Sequence, residues 1–207
     1  YQWDGDHDAY TPISKMTGVE FNSLNAYMVQ FAGDLTWTNV LNEGPASLAA
    51  KRNSDEMEQY HLRLELQQNG KEQDRTFIQL QEDEVTTAFD FNYDLCKIIN
   101  KGANIYSLIA TDRDPIEVAG NVLPVEEAII PLGIKTDAAG EYTFAMPEGT
   151  DGIVVELIDY ENNTRTNMLL DSYTVNLEKG TFDNRFALHV KPNKTTTSLE
   201  DINTNSN

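Results

Sequence analysis

Three aspartates spaced Asp4-x-Asp6-x-Asp8 are the most regular set of metal-type ligands in the chain. Clustered carboxylate oxygens suit a hard cation such as calcium. An EF-hand loop starting at Asp4 would need a glycine where Ala9 stands and a glutamate where Lys15 stands, so that loop type is excluded. A looser calcium site at Asp4, Asp6 and Asp8 stays open beside the plainer reading, an acidic hairpin tip. No other cofactor is expected. Asp90 and Asp94 form a second pair. Two carboxylates can divide acid and base work in glycoside hydrolysis, and a helical i,i+4 placement would put both on one face. Lys97 offers a structural alternative, in which Asp90 caps a turn and Asp94 forms a surface ion pair with Lys97. Glu82-Asp83-Glu84 reads as a solvated acidic loop.

The three histidines, His7, His61 and His189, form no zinc-type spacing. There is no nucleophile elbow and no phosphate-binding glycine loop. Tyr1, Trp3, Tyr10, Tyr27 and Trp37 gather in the first forty residues. Core or sheet-face packing is the usual role of such residues. Exposed, they would make a platform for a sugar, and Trp3, Tyr10 and Trp37 are the candidate contacts.

The elements that must position these residues read as strands. Tyr1–Trp3 and Ala9–Ile13 flank the turn Asp4-Gly5-Asp6-His7-Asp8, and Asp-Gly is a strong hairpin signal. Ala26–Phe31 and Leu35–Val40 flank Gly33-Asp34 in the same way. Tyr60–Gln67 alternates, with Tyr60, Leu62, Leu64 and Leu66 on one face, the pattern of a half-buried antiparallel strand. Asn69-Gly70 turns it and Arg75–Gln81 returns. Phe77 and Ile78 break the alternation, which predicts a bulge or an edge there. Phe89–Asn100 is ambiguous between helix and strand. Further strands are predicted at 104–111, 116–123, 128–136, 141–146, 153–159, 167–170, 172–177 and 186–190. Turn residues punctuate them at Ala139-Gly140, Pro147-Glu148-Gly149, Glu161-Asn162-Asn163 and Lys179-Gly180. Many short strands with frequent turns predict an all-β sandwich or barrel.

The chain has 207 residues, with 34 acids against 15 bases and a net charge of −19. A length of that order buries roughly 70% of its unfolded surface without staples. Phosphate binding needs a basic face, so nucleic acid is not expected as a partner. No apolar run approaches the ~20 residues of a membrane helix, so membrane insertion is not expected either. Cys96 is the one cysteine, read as a small buried hydrophobe. The chain opens on Tyr1-Gln2-Trp3 as though within a strand, which predicts a fragment or processed product of something longer.

Taken in order, NGKEQDRTFIQL, AFDFNYDLCK, IYSL, NVLP, IPLGI, GEYTF, VELID and DNRFALHV resemble the C-terminal β region of large surface and secreted proteins of Bacteroidota bacteria. That region lies just before a type IX secretion sorting domain, and KTTTSLEDI looks like the join into it. DNRF with the earlier D-R-T is the most distinctive part. Ala119-Gly120-Asn121 departs from the pattern, where a more apolar strand belongs. The resemblance implies an extracellular or cell-surface location and, in the full-length protein, passage through the type IX secretion machinery. It implies no activity for this region, and fold alone does not supply one.

These readings converge on an all-β, antiparallel, jelly-roll-like sandwich. Residues 1–45 would supply hairpins to it or end an upstream domain. Residues 46–59 would be a loop, 60–191 the main unit, and 192–207 a polar tail or linker. The expected function is that of a non-enzymatic accessory module for surface display or adhesion, contacting a host or environmental glycan or protein. The rivals are a carbohydrate-binding module of a secreted hydrolase and a hydrolase built on an acid pair. Asp74, Arg75, Asp90, Asp94, Asp183 and Arg185 are read as architectural, with Arg75 paired to an acid such as Asp74, Asp90 or Asp183.

Overall fold

The structure is a computed structural model, and it describes residues 2–4, 9–11, 59–82, 85–148 and 151–193. Its strands are β1 (Gln2–Asp4), β2 (Ala9–Thr11), β3 (Gln59–Gln68), β4 (Lys71–Gln81), β5 (Leu95–Cys96), β6 (Asn104–Ile109) and β7 (Ile116–Pro124). They continue as β8 (Ala128–Thr136), β9 (Gly140–Glu148), β10 (Ile153–Asp159), β11 (Thr164–Asn167), β12 (Tyr173–Leu177) and β13 (Gly180–Pro192). The all-β expectation holds. β1 and β2 pair antiparallel, with Trp3 opposite Tyr10 and Asp4 opposite Ala9.

The β3–β4 hairpin follows directly from its sequence. Tyr60, Leu62, Leu64 and Leu66 are all buried in the core. Gln68 pairs with Lys71, leaving Asn69 and Gly70 as a two-residue turn with φ of 53° and 70°. Positive φ at both positions is what the right-handed twist of a tight hairpin requires, and Asn-Gly supplies it. A Cβ on Gly70 would have nothing within 4 Å, so its cost is purely backbone strain. Gly70→Ala is therefore expected to lower stability by about 1–2 kcal/mol, read as a lower urea midpoint with unchanged slope.

The predicted bulge is misplaced. Leu66 opposes Asp74 and Gln67 opposes Glu72, so the extra residue is Gln73. Phe77 and Ile78 lie in a regular stretch. β4 is also not an edge, since it sits between β3 and β7. Every residue from Ile78 to Gln81 is buried, and a strand covered on both faces has no reason to alternate.

Eleven strands form one sheet in the order β11-β10-β13-β8-β6-β7-β4-β3-β9-β12, with β5 beside β7. β4 and β7 run parallel, with Ile78 opposite Asn121 and Leu80 opposite Leu123. This departs from the purely antiparallel expectation. The connection from Gln81 to Ile116 carries β5 and β6, a crossover long enough to return the chain in the same direction. The sheet curls until nearly closed. Phe144 of β9 and Phe186 of β13 stand far apart in the strand order, yet their ring centroids are 4.9 Å apart. One core therefore gathers Leu64, Leu66 and Phe144 from one end of the sheet and Leu157, Phe186 and Leu188 from the other.

Most predicted strands shift by a few residues at one end or both, and two differ more. The strand predicted at 167–170 lies at Thr164–Asn167, and Met168 begins a turn. β13 starts six residues before the predicted 186 and ends two after 190, and it carries an irregularity in its middle.

Candidate functional site

That irregularity contains the sequence Asp183-Asn184-Arg185. Phe182 pairs with Ile134 and Phe186 with Leu132, so three residues of β13 oppose only Gly133 of β8. Extra residues in one strand bend it and re-aim its side chains. On the other side of β8, Tyr106 of β6 is the register partner of Gly133. Its ring covers the glycine so closely that a Cβ there would fall 2.0 Å from Cε2. The Tyr106 hydroxyl donates to Asp183 Oδ1 at 2.9 Å. Burial pushes the Tyr106 hydroxyl pKa well up, and the bond to Asp183 adds to this.

Arg185 closes the other side of the irregularity. Its Nε donates to Asp159 Oδ1 at 3.1 Å and its Nη2 to Asp159 Oδ2 at 2.9 Å. Asp159 ends β10 and is 1% exposed. It also accepts from the Tyr173 hydroxyl at 2.8 Å, from Asn162 Nδ2 at 3.0 Å and from the backbone N–H groups of Glu161 and Asn162. Burial alone would raise its pKa. The hydrogen bonds from Arg185, Tyr173 and the backbone outweigh that and hold the carboxyl below its usual range. The guanidinium lies 4.9 Å from the Phe186 ring centroid and reaches Glu161 with Nη1. Tyr160 N–H donates to the Arg185 carbonyl at 2.9 Å. One carboxylate thus fixes the β10–β11 turn, the start of β12 and the irregularity in β13.

Beside this hub is a hollow of about 430 Å³, lined by Tyr160, Glu161, Phe182, Asp183, Asn184 and Arg185 among others. Tyr160 is 55% exposed. An exposed aromatic ring next to amide, carboxylate and guanidinium groups is equipped to stack on an apolar face and hydrogen-bond a polyol or a peptide.

The chain matches the family described as a domain of unknown function (DUF8693) over residues 26–190. It belongs to that family. The matched stretch takes in the Asp159–Arg185 hub, the hollow and Trp37, and leaves out Trp3, Tyr10 and the Asp4–Asp8 run. No curated protein and no solved structure matches the chain.

The other sequence-selected residues of this family member fall in separate places. Asp90 caps a turn as expected, its Oδ1 accepting from Asn92 N–H at 2.8 Å and its carbonyl from Asp94 N–H at 2.7 Å. Asp94, 3% exposed, accepts from Val122 N–H at 2.9 Å through Oδ1 and from Asp90 N–H at 2.7 Å through Oδ2. It stitches this turn to β7. The Asp94–Lys97 surface pair does not form. Lys97 instead pairs with Asp74, with side-chain exposures of 0% and 1%. The segment is extended rather than helical, and residues three apart in extended chain point to opposite sides.

Arg75 pairs with none of Asp74, Asp90 and Asp183. Its Nε binds Glu72, which also takes Arg63 Nη2 at 3.0 Å. The extra residue Gln73 shifts the alternation by one and so puts Glu72 on the Arg75 face. His189 has Glu127 at 2.9 Å and Glu156 at 3.2 Å. Hydrogen bonding to His189 holds both carboxyls below their usual range. Burial raises the Cys96 thiol.

Asp6, Asp8 and Trp37 lie outside the described residues. Trp3, Tyr10 and Asp4 are described only as strand positions. Among the described residues, no group of three or more His, Cys, Asp or Glu could hold a metal ion, and no helix is long and apolar enough to cross a membrane.

Proposed function

We propose that this chain is a non-enzymatic accessory module of an exported bacterial surface protein, serving display or adhesion outside the cell. The observation that carries this reading is where the charged motifs point. Asp159, Arg185, Asp94 and Asp74 bind backbone N–H groups and one another in the interior, and so act on the fold. The ordered motifs from NGKEQDRTFIQL to DNRFALHV support the exported setting, and the net charge of −19 favours a dispersed, solvated particle. In this reading the curled sheet is a jelly-roll-like sandwich, and the secretion machinery recognises a sorting domain beyond this unit. Antibodies raised against residues 60–191 should label intact cells of the source bacterium. Labelling that appears only after lysis contradicts the proposal.

The rival reading, a carbohydrate-binding module of a secreted hydrolase, is favoured by Tyr160 at the rim of the hollow. It predicts binding on a glycan array that falls by about two- to tenfold in Tyr160→Ala, the scale of one aromatic stacking contact. Binding lost in Trp3→Ala or Trp37→Ala but kept in Tyr160→Ala would move the sugar contact to the first forty residues.

A further inference from the structure

Asp74 and Lys97 form an ion pair in which both side chains are shut away from water, at 1% and 0% exposure. Asp74 is on β4, and Lys97 directly follows β5, twenty-three residues later. Lys97 Nζ contacts Asp74 Oδ2. The backbone N–H of Ile105 also donates to Oδ2, at 2.8 Å, whereas Oδ1 is buried with no hydrogen-bond partner. The two oxygens of one carboxyl are therefore held differently.

We propose that Lys97 and Asp74 are joined by an isopeptide bond, Nζ to Cγ, formed by the folded chain itself. The reacting species are the neutral amine and the protonated carboxyl. Burial pushes the Lys97 amine down and the Asp74 carboxyl up, each against its partner's charge, and so favours these neutral forms. The Nζ lone pair attacks Cγ. The Ile105 N–H stabilises the negative charge developing on Oδ2, as a donor in an oxyanion hole does. Oδ2 remains as the amide oxygen. The Cγ–Oδ1 bond breaks, and Oδ1 leaves as water with the carboxyl proton and one proton from Nζ. No oxidant or co-reactant is consumed.

The Glu117 backbone carbonyl accepts from Lys97 N–H at 2.9 Å, which holds the segment after β5 against β7. The isopeptide bond would tie β4 to the crossover that precedes β6, closing a loop in the unfolded chain as a disulfide does. This inference goes beyond the display reading and stands without it.

The test is the intact mass of the full chain under denaturing conditions, with peptide fragmentation. The expected mass is that of the sequence less one water, with a branched peptide linking Lys97 to Asp74. Lys97→Met and Asp74→Ala should show the full sequence mass. A wild-type chain at full sequence mass overturns the proposal. So does a water lost as a succinimide at Asp4-Gly5 or Asp151-Gly152, with no branch.

Discussion

Asp159→Asn is expected to destabilise the protein by about 3 kcal/mol at neutral pH. Breaking a buried ion pair by removing one partner costs about 3–5 kcal/mol, because the other charge is left uncompensated. The lower end applies because Arg185 keeps Glu161, whose side chain is 66% exposed. A shift of roughly 6–12 °C in melting temperature follows for a chain of this size. The loss has a pH signature. The folded-state carboxyl lies below the unfolded value of about 3.9, so its stabilisation is complete above that value and is lost as pH falls through the folded one. Urea unfolding should show a constant gap between wild type and variant from pH 7 to about 5, narrowing in stronger acid. A gap independent of pH down to full protonation would contradict the role given to this charge.

Gly133→Ala is expected to cost at least about 3 kcal/mol, at the upper end for overpacking. In most strand positions the same change is favourable by roughly 0.5–1 kcal/mol, so the sign itself is the prediction. A Cβ at 133 would lie 2.0 Å from Tyr106 Cε2 and 2.6 Å from Cδ2 and Cζ. The ring has no room to withdraw, because Tyr106 is 0% exposed and its hydroxyl is held by Asp183. Tyr106→Phe, which keeps the ring and loses the hydroxyl, should cost only about 1 kcal/mol. In a Tyr106→Ala background, Gly133→Ala should turn neutral or stabilising. A Gly133→Ala protein as stable as wild type would mean that the ring does not cover the glycine.

The sequence carried the local part of this fold. Alternation from Tyr60 to Leu66 and the Asn69-Gly70 turn define the β3–β4 hairpin, because both signals act between neighbouring residues. Asp90 announced its turn for the same reason. What distance along the chain decides was hidden. Arg185 meets Asp159 across twenty-six residues, and Lys97 meets Asp74 across twenty-three, after the chain has paired β5 with β7. Gln73 shows how one extra residue rewrites pairing. It exchanges the Arg75 face, and the partner becomes Glu72 instead of any of the acids that simple alternation offered. DNRF was visible as distinctive, but its purpose was not. Three residues opposing Gly133 can be read only from the register of β13 against β8. The hollow beside it was missed because Tyr160 sits in a turn between strands, whereas the sequence drew attention to Trp3, Tyr10 and Trp37.

The central claim is that the charged motifs of this chain hold its fold together. A double-mutant cycle on Asp159 and Arg185, read by urea unfolding at neutral pH, tests it most directly. Asp159→Asn, Arg185→Met and the double variant should show a coupling of about 2 kcal/mol or more, within the range for groups in one buried network. The double variant should then be more stable than the sum of the single losses implies. Losses that simply add, with each single variant within about 0.5 kcal/mol of wild type, would contradict the account and return these residues to the search for a chemical role.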